Sequence, residues 1–369
     1  MKVEREISRV VLPFAAGVAM TVWSGHVSHI RPCFYSGLTM AVILISASFL
    51  LFSRNRQIPP SVLRSAICIC LASCGILCGL TSELLSSSRP YADSIMESIR
   101  AMGRETGRLI DGIDFKNQDT NAILKALIIG DRSDIPAHIT ESFRSSGASH
   151  ILALSGLHLG IIHYIFSKIL SLSGNSPKAQ MLRSGCIILL RGLYTLATGA
   201  GASIVRAYLF IIIGERSRFS NSFKSTGTVL MSALLIHLTI SPASMKEAGF
   251  LLSYAAIAGI AYIFPWLKSI WPESEDRIKG PVRRIWESAA LSISCQFTTG
   301  PLAYLYFGTF PRHFLLTNLI AIPLTGLIIP ASLLTICMEA VGTSPEIMKK
   351  AVEALISALS TALDIISRM

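Results

Sequence analysis

The feature that most constrains this chain is the recurrence of long apolar runs between short charged loops. FLLSYAAIAGIAYIF and LIAIPLTGLIIPASLLTICM contain no charged residue, and about 20 apolar residues in a helix span the roughly 30 Å hydrocarbon layer of a bilayer. Backbone groups there must be satisfied within the segment, which makes helix the default. The chain is 51% hydrophobic and only 15% charged, with a mean hydropathy of +0.56; soluble domains are about a quarter charged. The expected fold is an all-α polytopic membrane protein with about 11 transmembrane helices, some broken or re-entrant, plus short amphipathic surface helices.

The runs fall at 10–30, 36–53, 65–85, 148–170, 184–200, 202–215, 226–241, 247–267, 287–308, 313–340 and 347–367. The 202–215 run is short, so a tilted, broken or extended helix is expected. The 313–340 run contains Pro323 and Pro330, so it is expected to form a kinked span or a re-entrant pair. The first run follows Lys2, Arg5 and Arg9 as a signal sequence would. It outlasts signal-peptide length without a small-x-small cleavage site, and a retained span is expected.

The net charge of +11 is distributed unevenly. Arg54, Arg56 and Arg64 share one side with Lys2, Arg5 and Arg9. Lys168, Lys178, Arg183, Arg216, Arg218 and Lys224 fall on that side too, as do Lys268, Arg277, Lys279, Arg283, Arg284, Lys349 and Lys350. The alternate short loops hold only Arg31, Lys246 and Arg312. This asymmetry predicts a cytoplasmic N-terminus and an extracytoplasmic C-terminus. A polyanionic ligand is compatible with the same charge. Segment 89–147 then lies outside. Its stripes Ile95, Ile99, Met102, Thr106, Leu109, Ile110 and Ile123, Leu124, Leu127, Ile128 predict amphipathic helices on the outer membrane surface, or a small helical cap. The expected organisation is N-terminal spans over 1–88, extracytoplasmic helices over 89–147 and a transmembrane core over 148–369.

The eight cysteines include no CxxC pair. Cys70, Cys74 and Cys78 form one helical stripe suited to packing. No P-loop is present, so that route to nucleotide hydrolysis is excluded.

Chemistry concentrates in SHILALSGLHLGIIHY, residues 149–164. Ser155 and His158 share a helix face, as a serine hydrolase would need, but neither GxSG nor GxSxG is present. His158 and His163 are about 140° apart around a helix, poor geometry for one metal, and residues 150–172 contain no carboxylate. A conduction path is the third reading. Arg191 and Arg206 fall inside predicted spans, where an arginine normally faces a partner or a wet cavity. Arg191, beside Gly192, is expected to snorkel to an interface, and Arg206 to face a polar interior among the small residues of TLATGAGASIVRAYLF. Ser253, Tyr254, Gln296, Thr298, Thr299 and Asn318 add a polar seam, with Pro301, Pro323 and Pro330 as helix breakers near it.

Six stretches occur in a recognisable order over residues 126–330: ALIIGDRSDIP, FRSSGASHILALSGLHLG, GASIVRAYLF, SPASMKEAGFLLSYAAIAGI, CQFTTGPLAYLYFGTF and TNLIAIPLTGLIIP. In these the chain resembles the ComEC-type competence proteins, inner-membrane channels that pass single-stranded DNA during natural transformation. The resemblance implies a membrane channel component rather than an enzyme, without cofactor or metal. It implies single-stranded DNA and the lipid bilayer as partners, a DNA receptor outside, a DNA translocase inside, and a possible homo-oligomer. The motif residues it carries over are Asp131, Arg132, Gly147, His150, Ser155, Gly156, His158, Arg206, Ser253, Pro301, Asn318 and Pro323. Larger relatives carry an oligonucleotide-binding barrel where this chain has LTSELLSSSRPYADS, and a metallo-β-lactamase-like domain whose HxHxDH is absent here. A minimal form without nuclease activity is therefore expected. An intramembrane hydrolase using Ser155 and His158, and a non-conducting scaffold of the uptake machinery, are the alternatives.

Overall fold

Apolar runs without β-branched alternation, interrupted by Ser, Gly and Pro, favour helix over strand. The structure, a computed structural model, bears this out. It describes residues 2–23, 39–40, 42–43, 45–46, 59–85, 90–117, 119–171, 176–219, 225–270, 279–308, 310, 312–343 and 345–369. Among these, every regular element is helical. The helices are α1 (Lys2–Trp23), α2 (Pro60–Leu85), α3 (Pro90–Asp111), α4 (Asp119–Ile128), α5 (Ala137–Ser145), α6 (Ser149–Leu152), α7 (Gly156–Ser171), α8 (Pro177–Ala197) and α9 (Ala202–Phe219). After these come α10 (Thr226–Ile240), α11 (Ala248–Ala258), α12 (Phe264–Ser269), α13 (Lys279–Phe307), α14 (Phe314–Ala340) and α15 (Glu346–Ser367). A 3₁₀ turn at Pro242–Lys246 precedes α11, and a π turn at Gly259–Ile263 joins α11 to α12.

Val3–Trp23, Ser61–Ser82, Ala248–Ser269 and Phe314–Ala340 are long and apolar enough to cross a membrane, and Thr226–Ile240 is a shorter apolar helix. Most of the predicted 36–53 span lies outside the described residues. Two sets of alternatives narrow. The 202–215 run extends to Phe219 as one unbroken helix, α9. The 313–340 run is neither broken nor re-entrant: α14 passes through Pro323 and Pro330 as one helix. Each proline removes one backbone donor, and long apolar helices tolerate such local losses.

The contacts divide the chain into two units. In the first, Met1–Asp93 with Ile212–Tyr254, α1 packs against α2 and α10. The α1–α2 approach is close: a Cβ at Gly17 would lie 1.9 Å from the Ala72 carbonyl oxygen, so small residues set the spacing. His237 is buried beside Phe250, with Nδ1 3.2 Å from the Tyr254 hydroxyl.

In the second unit, Ser94–Ile211 with Ala255–Met369, one continuous core joins the end of α3 to α4, α5, α6, α14 and α15. Ile110, Ile123, Leu127, Phe143 and Ile151 pack there with Ile328, Ile356 and Leu359. Thr317 on α14 donates its hydroxyl to the Ser146 carbonyl at 2.7 Å, which fixes the turn entering α6. Residues 112–117 and Gly130 make the other turns; Gly130 sits at φ +79, a region that favours glycine. Residues 110–147 thus share a buried core with two of the long C-terminal helices.

Candidate functional site

The site grows from the start of α7. Ala153 turns into extended backbone after the single turn of α6, and Ser155 stands immediately before α7. Its hydroxyl accepts from the Leu157 N–H at 3.2 Å. Three residues on, His158 reaches back: its Nδ1 lies 3.3 Å from the Ser155 N–H, which donates to it, and 3.1 Å from the Ser155 hydroxyl. This is the reciprocal arrangement of a capping box, with histidine where glutamate or glutamine is usual. It satisfies backbone donors that a helix start otherwise leaves unpaired.

The same bonds fix the imidazole. With Nδ1 accepting, the neutral ring carries its proton on Nε2. His158 is 0% exposed, and among the described residues Nε2 has no hydrogen-bond partner. His150, whose Nδ1 is 3.1 Å from the Gly147 carbonyl, lies near enough for a charge on one ring to act on the other.

Arg206 of α9 meets this helix start. A Cβ added at Gly156 would lie 3.6 Å from its Nη2 and 3.7 Å from the Ala207 Cβ, so Gly156 leaves room for the guanidinium. Arg206 is 6% exposed, stands over the Phe210 ring at 5.8 Å, and interacts with Cys295 of α13. Beneath it Leu159, Ile204 and Ala207 form an apolar floor with Leu154, Tyr194 and Tyr208 against it. A cation and the partial positive charge of a helix N-terminus thus occupy one location, an arrangement that attracts anions.

The structure therefore brings together Ser155, Gly156, His158 and Arg206, with His150 beside them. Other predicted residues lie elsewhere. Asp131 and Arg132 are exposed in the α4–α5 turn, where the Asp131 carboxylate accepts from the Ser133 N–H at 3.0 Å and from its hydroxyl at 2.7 Å. Asn318 is half-buried on α14, with no partner for Oδ1 among the described residues. Pro301 and Pro323 are exposed within α13 and α14. Ser253 is buried on α11 in the other unit.

Two features escaped the sequence reading. Arg191 does not snorkel: it is 0% exposed, close to the Tyr208 phenol. Lys125 is buried between Asp111, at 2.7 Å, and Asp134. Burial works against its ammonium, but the hydrogen bonds and charges of Asp111 and Asp134 outweigh it and raise its pKa. The Lys125 hydrogen bond and charge in turn hold the Asp134 carboxyl below the usual aspartate range. Tyr194 donates its hydroxyl to the Ile128 carbonyl at 2.6 Å, tying α8 to the end of α4 near this clamp. Only the charged residue types were visible in sequence.

Against this geometry stand the comparisons with known proteins. The family described as Competence protein matches residues 127–369. ComE operon protein 3 of Bacillus subtilis (strain 168) is 30% identical over 138 residues, 37% of this chain and 17% of that protein. Competence protein ComA of Neisseria gonorrhoeae is 26% identical over 228 residues, 59% of this chain and 29% of that protein. Uncharacterized protein YcaI of Escherichia coli (strain K12) is 23% identical over 224 residues, covering 56% and 28%. The chain thus spans less than a third of the length of each of these relatives. No solved structure matches it.

Proposed function

This chain belongs to the Competence protein family, and from that premise we propose that it is a channel component that carries single-stranded DNA across the cytoplasmic membrane during natural competence. The observation that supports this reading most is the placing of Arg206 at Gly156, against the N-terminus of α7. Moving a phosphate polyanion through a low-dielectric layer requires compensating positive charge, yet each added phosphate contact strengthens binding. Conduction needs sites strong enough to admit the strand and weak enough to release it. One guanidinium and one helix terminus meet that compromise better than a dense basic lining. The Nε2–H of His158, without a partner among the described residues, adds a neutral donor.

In this reading about 11 spans cross the membrane, with a cytoplasmic N-terminus and an extracytoplasmic C-terminus. A receptor outside presents the strand, and a DNA translocase inside drives it, since the chain has no P-loop. No cofactor, metal or catalytic step is required of this chain.

The test is Arg206→Ala in the full chain, assayed for uptake of labelled single-stranded DNA at matched membrane levels. Uptake is expected to collapse while insertion persists; undiminished uptake removes Arg206 from the path. One observation favours a second reading, a hydrolase: the 3.1 Å approach of the Ser155 hydroxyl to His158 Nδ1. Capping accounts for that contact without chemistry. Labelling by a serine-reactive probe that vanishes in Ser155→Ala would reinstate the hydrolase.

A further inference from the structure

Away from the α7 junction, the π turn at Gly259–Ile263 shapes a second feature. The Phe264 N–H bonds to the Gly259 carbonyl, one residue further back than in an α-helix, and Pro265 has no donor to offer next. The extra residue turns Tyr262 and Trp266 outward beside α13. Between them lies a groove of about 370 Å³ lined by Tyr262, Ile263, Trp266, Leu267, Ile293 and Phe297. That volume lies within the range of small-molecule sites. Every lining side chain is apolar or aromatic. Tyr262, Trp266 and Phe297 are 51%, 66% and 72% exposed, so the groove opens outward rather than into a core.

One end of the groove is basic. Lys268, next to the lining residue Leu267, lies 3.3 Å from the Glu287 carboxylate, which also takes Arg283 at 3.0 Å. Two cations share one anion, and Arg284 beside them is exposed. Trp286 donates its indole N–H to the Leu267 carbonyl at 3.2 Å, which ties α13 to α12 where groove and charges meet. An apolar trough with, among the described residues, surplus positive charge at one end matches a ligand with an acyl chain and an anionic head.

We propose that this groove is a binding site for one anionic phospholipid, its acyl chain along Trp266 and Phe297 and its phosphate against Lys268 and Arg284. Among the lining side chains a polar solute meets only the Tyr262 hydroxyl, and a zwitterionic lipid gains less from the surplus charge. The site is independent of the DNA path, and its test involves no DNA.

The test uses the full chain in nanodiscs containing phosphatidylglycerol or phosphatidylcholine with brominated acyl chains. The readout is fluorescence quenching assigned to Trp266 by difference from Trp266→Phe. Phosphatidylglycerol is expected to quench at roughly fivefold lower mole fraction, the preference that one interfacial cation supplies. Lys268→Gln should erase the preference and Lys268→Arg restore it. Ile293→Phe, which fills the groove without touching the charges, should weaken quenching by both lipids. Equal quenching by the two lipids in the unaltered chain would reduce the groove to ordinary lipid-facing surface. So would a preference that persists in Lys268→Gln.

Discussion

Two buried cations of the same unit are held in opposite ways. Lys125 sits between two carboxylates, Asp111 and Asp134, whose side chains are each 55% exposed. Its charge is satisfied locally, and what it achieves is to pin the α4–α5 turn to the end of α3. The described neighbours of Arg206 include a glycine, an aromatic face, a thiol and a helix N-terminus. The first arrangement neutralises a charge to hold structure. The second sets a guanidinium beside the partial positive charge of a helix N-terminus, a combination that attracts anions. The proposed conduction of a polyanion would use both kinds, a fixed frame and an anion-attracting site.

The comparison breaks most widely on substitution. Arg206→Ala should lower single-strand uptake by about 10- to 100-fold, the equivalent of one charge-assisted hydrogen bond, a larger effect than its effect on thermal stability in detergent. Lys125→Met should do the reverse. It leaves two carboxylates facing each other and should cost about 1–3 kcal/mol in thermal unfolding, with uptake per folded molecule intact. A loss of uptake in both variants at equal stability would erase the distinction.

The clamp also has a pH signature. The Asp134 pKa is depressed, so its contribution is present above the ordinary aspartate value and is lost as pH falls through the lower folded value. The Lys125 pKa is raised, so its contribution is complete below the ordinary lysine value and is lost only as pH rises beyond it. The stability difference between the unaltered chain and Lys125→Met should therefore be flat from about pH 5 to pH 9. It should shrink below about pH 4, as thermal unfolding across that range would show.

A smaller effect separates capping from catalysis. Ser155→Ala should cost about 1 kcal/mol, the usual loss of a helix N-cap, and leave uptake near normal once expression is matched. The smallest effect is expected of His158→Gln. Glutamine can accept from the Ser155 N–H as the capping box requires, so stability should change by less than about 0.5 kcal/mol, whereas His158→Ala should match the loss of Ser155. If His158→Gln unfolds the chain, the capping assignment is wrong.

The sequence displays some of this directly and hides the rest for identifiable reasons. Helical class and the pairing of Ser155 with His158 follow from periodicity and a three-residue spacing, and both are present; the 148–170 run, expected as one span, is instead broken at residues 153–155 before α7. The meeting of Arg206 with Gly156 spans 50 residues, so only the motif order pointed to it. Arg191 was legible as a charge in an apolar run, but its burial depends on α9: a Cβ at Gly192 would lie 2.7 Å from the Tyr208 hydroxyl, and that close approach encloses the arginine. The Lys125 clamp joins the end of α3, the middle of α4 and the α4–α5 turn, which no single helical face contains. The prolines of α14 left a single span and a re-entrant pair open; a proline weakens a helix by one bond, and the packing of Ile328, Ile329 and Ser332 in a buried face holds the span continuous.

The most direct measurement is photo-crosslinking during uptake. Gly160 lies one turn beyond Gly156 on the same face of α7, is exposed, and has nothing within 4 Å of a built Cβ. A photoreactive residue there should fit without displacing neighbours. In cells taking up labelled DNA, illumination is expected to give a covalent adduct between position 160 and the incoming strand, with none at position 262 in the apolar groove. Normal uptake with no adduct at 160, or equal adducts at both positions, would contradict a strand path beside Arg206.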